Sequence, residues 1–87
     1  MRRFFVYLLA CSDGSLYTGY TSDLDRRLAQ HRSGSGSRYV ASRLPVSLAY
    51  VEEAATRRKA MKREYQIKRL RRAEKVRLCE SQGTGRG

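Results

Sequence analysis

Phe4-Phe5-Val6-Tyr7-Leu8-Leu9-Ala10-Cys11-Ser12-Asp13-Gly14-Ser15-Leu16-Tyr17-Thr18-Gly19-Tyr20 is the stretch whose reading decides the fold. Its opening, Phe4 to Ala10, is rich in β-branched and aromatic residues and apolar on both alternating faces, which predicts a strand covered on both sides and therefore central in a sheet. Ser12-Asp13-Gly14-Ser15 supplies turn chemistry, and Leu16 to Tyr20 alternates well enough to pair back as a hairpin. Loop length then sets which side chains meet. A two-residue Asp13-Gly14 turn pairs positions summing to 27, which puts Tyr7 opposite Tyr20 and sends Tyr17 to the other face. A three-residue loop, Ser12 to Gly14, pairs positions summing to 26, so Tyr7 meets Gly19, Tyr17 meets Leu9, and both phenols share one face.

Working outward, Ser22 and Asp25 have the spacing of a capping box, with acidic residues at the positive end of a helix running to about Arg32. On that helix Leu24, Arg27, Leu28 and His31 form one stripe, so of the two adjacent arginines Arg27 faces inward and Arg26 outward. Ser33-Gly34-Ser35-Gly36-Ser37 reads as a flexible linker whose free amides offer a second role, cradling a phosphate. Arg38 to Ala41 predicts a short helical turn, and Val46 to Val51 a third strand, ended by Glu52 and Glu53. From Thr56, an N-cap, a helix is expected to about Leu70 and another from Ala73 to about Cys79. The fold class is α/β: one domain over residues 1–80, with 81–87 a mobile tail.

The chain has 87 residues, enough for one small core and no second catalytic domain. Nineteen Lys and Arg against eight Asp and Glu give a net charge of +11, and residues 57–77 hold eleven of the nineteen, so the expected partner is a polyanion, nucleic acid above all. The longest apolar run, Phe4 to Cys11, falls far short of the roughly 20 residues that span a bilayer. A soluble, unprocessed cytoplasmic protein is expected. Cys11 and Cys79 form no C-x-x-C, and a single histidine leaves a zinc site without ligands, so both cysteines are expected to be free thiols.

On the helix after Thr56, residues Ala60, Met61, Ile67 and Leu70 outline an apolar arc with Glu64 near its centre. A carboxylate facing a core must be paired or hold a cation; an arginine salt bridge and a metal site both answer that need. Arg27, four residues before His31, sets a planar donor fork suited to phosphate beside an imidazole that moves protons near neutral pH. Tyr7 and Tyr17, if on one face, add phenols able to relay a proton or orient a water.

Phe5-Val6-Tyr7, then Tyr17-Thr18-Gly19 ten residues on, Arg27 ten beyond that, His31, and Glu64 in the later Arg63-Glu64-Tyr65-Gln66-Ile67-Lys68 run together resemble the GIY-YIG nuclease superfamily over residues 4–78. Within it the chain looks like the small stand-alone bacterial branch. The resemblance implies a three-stranded antiparallel sheet flanked by helices and hydrolysis of DNA phosphodiester bonds assisted by one divalent metal, Mg²⁺ or Mn²⁺. It assigns catalytic positions to Tyr7, Tyr17, Arg27, His31 and Glu64, with Glu64 the metal ligand. Phe5 stands where the motif has its first Gly and Thr18 where it has Ile, changes that touch packing; no Asn follows the glutamate helix. With no DNA-reading domain, weak sequence preference is expected. The rival from another class is an idle nucleic-acid-binding module on the same scaffold, and convergence of the named side chains on one cleft is what an enzyme requires.

Overall fold

In the computed structural model, which describes residues 3–84, β1 (Phe4–Ala10) is the middle strand of an antiparallel sheet with β2 (Leu16–Thr21) and β3 (Ser47–Ala54) at its edges. The hairpin adopts the register summing to 26, with Tyr7 against Gly19 and Leu9 against Tyr17. Cys11 N donates to Ser15 O at 2.9 Å across the Ser12–Gly14 loop. Gly14, at φ 85°, takes the left-handed conformation that a three-residue loop demands.

Because β1 is central, its alternation supplies two cores. Phe4, Val6 and Leu8 pack with Ala60 and Ile67 of α3 (Arg57–Lys68) and with Leu78 and Cys79 of α4 (Arg72–Thr84). Tyr7 and Leu9 pack on the other face with Leu28 of α1 (Leu24–Ser33) and Val40 of α2 (Arg38–Ala41). A register shift between Leu8 and Leu9 pairs them with Tyr50 and Leu48, leaving Ala49 as the extra residue of a bulge. The bulge lets Leu48 and Val51, three apart, serve one core while Tyr50 serves the other.

Element boundaries differ from expectation where side chains intervene. Asp23, not Ser22, caps α1, accepting from Arg26 N at 3.1 Å, while the Thr21 hydroxyl accepts from Asp23 N at 3.0 Å. Glu52 and Glu53 continue β3 because each finds partners: Glu52 accepts from Arg63 Nε at 2.8 Å and from the Tyr50 hydroxyl at 2.5 Å, and Glu53 pairs with Arg3. Thr56 caps α3 as expected, accepting from Lys59 N at 3.1 Å. Ser81–Thr84, expected in the tail, extend α4, since the Gln82 amide bonds both the N–H and the carbonyl of Val51 on the sheet edge; residues 85–87 lie outside the described residues. Met61, expected in the apolar arc, is 49% exposed, because the buried stripe of α3 runs through Ala60 and Ile67 alone. Both cysteines are free thiols. Among the described residues no helix is long and apolar enough to cross a membrane.

Candidate active site

The hairpin register builds the first half of the site. Tyr7 and Tyr17 emerge from neighbouring strands on the α1 face, and α1 lays His31 against both: ring centroids lie 5.8 Å from Tyr7 and 5.3 Å from Tyr17, each pair edge-on. The Tyr7 hydroxyl and His31 Nε2 share a hydrogen bond of 2.8 Å, with both residues essentially buried. This approach is possible only because Gly19 has no side chain. A Cβ there would stand 2.6 Å from the Tyr7 hydroxyl and 3.3 Å from Tyr17 Cε2. The Tyr7 ring thus lies across the edge strand with its hydroxyl over Gly19.

Arg27, one turn before His31, is held by two acceptors. Its Nη1 donates to Gln30 Oε1 and its Nη2 to the Gly36 carbonyl, each at 3.1 Å. The Gly/Ser loop, expected as a flexible linker, is therefore a buttress, and amides that its alternative role would offer a phosphate are already used: Ser35 N and Gly36 N both donate to Gln30 O, and Gly34 N to His31 O. Gly36 sits so close that a Cβ would lie 2.8 Å from His31 Nδ1. Sequence reading identified Arg27 and His31 but missed Gln30 and Gly36, because a contact across the end of a helix has no periodicity to betray it.

The second half comes from the opposite layer. α3 packs beside β2 as well as β1, and an open cleft of about 370 Å³ lies where it faces α1, lined by Tyr20, Thr21, Ser22, Asp23, Arg26, Arg27, Gln30 and Arg57, so that of the five expected site residues Arg27 is the one on its wall. Arg57 and Glu64 fall on one stripe of α3, seven residues apart. That spacing was the available signal for Arg57, which sequence reading passed over. Glu64 keeps only 20% of its side chain exposed, and its negative charge opposes ionisation of the Tyr7 phenol, which the Arg27 charge favours. Its partner is neither an arginine nor a close one: Lys68 Nζ stands 3.6 Å away on an otherwise exposed side chain.

Those donors fit one kind of metal site. Among the described residues no three His, Cys, Asp or Glu side chains cluster, so an all-protein cage is absent. A hard cation that keeps its waters and takes one carboxylate plus substrate phosphate suits Glu64, whose loose ammonium neighbour is readily displaced.

Burial raises the Tyr7 pKa, with Arg27 pulling it back, so Tyr7 is a neutral phenol at physiological pH. Burial first, and the Arg27 charge second, lower the pKa of His31. Above about pH 6.5 the imidazole is neutral whether folded or not, but below it the unfolded chain takes a proton that the native site refuses. Stability should therefore fall with pH from about 6.5 downward, by up to about 1.4 kcal/mol per unit. Urea midpoints measured between pH 7.5 and 5.5 check this. His31→Gln, less stable throughout, should lose the dependence, and an equal acid drop in both proteins would assign it elsewhere.

This arrangement has relatives. The GIY-YIG catalytic domain matches residues 3–77. A UPF0213 protein of Halobacterium salinarum is 49% identical over 73 residues, covering 84% of this chain and 95% of its own. One from Staphylococcus epidermidis is 44% identical over 80 residues, covering 92% and 98%. The solution NMR structure of the UPF0213 protein from Bacillus halodurans is similar at a TM-score of 0.61 and 42% identity, covering 93% of this chain and 86% of that one. A protein from E. faecalis reaches 0.64 at 36% identity, covering 97% and 90%. A match from the first described residue almost to the middle of α4, together with a sheet that sets Tyr7 and Tyr17 side by side, leaves one conclusion: the chain belongs to the GIY-YIG family, beside the UPF0213 proteins.

Proposed function

We propose that this chain is a metal-dependent endonuclease that hydrolyses DNA phosphodiester bonds with weak sequence preference, acting in DNA repair or processing in the cytoplasm. One observation carries the reading: Tyr7, Tyr17 and His31 meet on one face of the sheet, with Arg27 one helical turn before His31 and the Glu64 charge acting on the Tyr7 phenol from the other layer. A structural ion pair needs no such gathering, whereas cleavage of a phosphodiester does.

In this reading Arg27, pre-aimed by Gln30 and Gly36, binds the scissile phosphate and stabilises the charge that builds there. Tyr7 orients the attacking water and accepts its proton while passing its own to His31 Nε2, a transfer that requires the tautomer protonated on Nδ1, an atom buried without a hydrogen-bond partner. Tyr17 packs against His31 and holds the ring in place. Glu64 would hold Mg²⁺ or Mn²⁺, which neutralises charge on the phosphate and its leaving oxygen when bound. The cationic α3 and α4 grip the flanking backbone without reading bases, which is why sequence preference is weak.

The test is a gel assay of purified protein on linear, nicked and branched DNA, with Mg²⁺, Mn²⁺ or EDTA. Products are expected with either metal and none in EDTA. Binding to these substrates without metal-dependent products would assign the same scaffold to a binding module instead.

A further inference from the structure

Among the described residues only three large hydrophobic side chains are well exposed, Tyr39, Met61 and Tyr65. Tyr39 is occupied, with the Arg43 guanidinium 3.7 Å from its ring centre and Tyr17 tilted against it. Met61 and Tyr65 sit one turn apart on α3, 49% and 61% exposed, with only the looser approach of Arg69 to Tyr65 against them. Isolated exposed hydrophobics need no explanation. A pair on the most cationic helix of the protein, abutting Glu64, does.

Going round α3 from the buried stripe of Ala60 and Ile67, the next position is Glu64, then Met61 with Lys68, then Tyr65. The apolar pair therefore borders the carboxylate on its solvent side. Beyond it lie Arg58, Lys62 and Arg69, with Arg69 Nη1 donating to the Tyr65 hydroxyl at 3.2 Å and its guanidinium 5.5 Å from the ring centre. That contact steadies the ring at its hydroxyl end, and the exposure of the side chain leaves surface for a partner. The ligand this surface fits carries flat apolar rings on a polyanionic backbone, and only an unpaired nucleotide offers both at once: in a duplex the ring faces are already stacked.

Building on the nuclease reading, we propose that Met61 and Tyr65 form a stacking platform for an unpaired base next to the scissile phosphate, so that the site prefers single-stranded over fully paired substrate. Tyr65 takes the base face, Met61 packs at its edge, and Arg58, Lys62 and Arg69 hold the adjoining phosphates.

The experiment measures binding of fluorescein-labelled oligo(dT) and of a blunt hairpin duplex in EDTA, so that nothing is cleaved, across a salt series. Wild type is expected to bind oligo(dT) more tightly than the duplex. Tyr65→Ala should lose about five- to a hundred-fold on oligo(dT) with no change in salt slope, since stacking releases no counterions, and should leave duplex binding within twofold. Tyr65→Phe, which keeps the ring and drops the Arg69 contact, should retain most of the single-strand affinity. Equal losses on both substrates, a changed salt slope, or indifference of oligo(dT) to Tyr65→Ala each overturn the platform while leaving the nuclease reading intact. Failure of wild type to bind either nucleic acid would end both. Anionic lipid vesicles serve as the competing ligand: if they bind as tightly as oligo(dT) and lose affinity equally in Tyr65→Ala, the patch is a lipid contact and the platform is overturned.

Discussion

Glu64→Gln is expected to lower kcat by about a thousandfold, about 4 kcal/mol of transition-state stabilisation, and to make the residual rate indifferent to Mg²⁺. Gln is close to Glu in size, so the change removes charge and little else. The competing account makes Glu64 a structural partner of Lys68, and magnitudes decide between them. A pair separated by 3.6 Å, with its ammonium on a side chain 54% exposed, contributes about 0.3–0.5 kcal/mol as an i,i+4 helix pair. Its loss cannot account for a thousandfold drop in rate, nor should it move the urea midpoint noticeably. Lys68→Gln sharpens the comparison, since it breaks the same pair from the other side. If the pair matters for itself, the two variants should resemble each other. If Glu64 serves a cation, Lys68→Gln should retain cleavage and reach half-maximal rate at lower Mg²⁺, because a competing positive charge has gone. Steady-state rates against metal concentration for the three proteins check this, and parallel losses in both variants would return Glu64 to a structural role.

How much of this was legible beforehand follows from which physical signals are local. The central strand could be read from Phe4 to Ala10 because a continuous apolar run of that length, rich in aromatic and β-branched residues and closed by Ser12-Asp13-Gly14, suits a strand covered on both faces better than a helix. Glu64 could be kept off the solvated side of α3 because helical periodicity is a rigid ruler over three turns, but with Met61 exposed it stands at the border of the buried stripe and not near the centre of the expected arc. The face shared by Tyr7 and Tyr17 could not be settled, since one residue of loop length decides it and Ser12-Asp13-Gly14 permits both lengths; the left-handed Gly14 and the Cys11–Ser15 closure choose. Met61 misled because an apolar residue beside a buried stripe looks like part of it until the packing partner is known. The extents of β3 and α4 depend on Arg63, Arg3 and Gln82, whose contacts join residues far apart in the chain. The same holds for Gly36, whose carbonyl fixes Arg27 across nine residues. Long-range side-chain contacts leave no periodic trace, and it is these that finish the site.

Gly19→Ala, a single methyl group on the edge strand, is expected to lower kcat by about a hundredfold without replacing a titratable group. Its Cβ would stand 2.6 Å from the Tyr7 hydroxyl and 2.7 Å from Tyr7 Cζ, well inside any tolerated contact, so one side must give. The strand has little freedom, being paired to β1 along its length. The Tyr7 ring has little either: it is 1% exposed and tied to His31 at 2.8 Å. Relief therefore comes from tilting the phenol by about 1 Å, which is the scale of misplacement that costs about a hundredfold in an aligned site. Overpacking adds about 1–3 kcal/mol of destabilisation, which a melting curve separates from the rate effect by showing a folded protein at assay temperature. The decisive comparison is a double-mutant cycle. Tyr7→Phe already removes the hydroxyl bonded to His31, to which the proposed mechanism gives the water, so if Gly19 acts only by seating that group, adding Gly19→Ala to Tyr7→Phe should cost nothing further. Additive losses would mean that the glycine serves something other than Tyr7, with Tyr17 Cε2, 3.3 Å from the same point, the next side chain to examine.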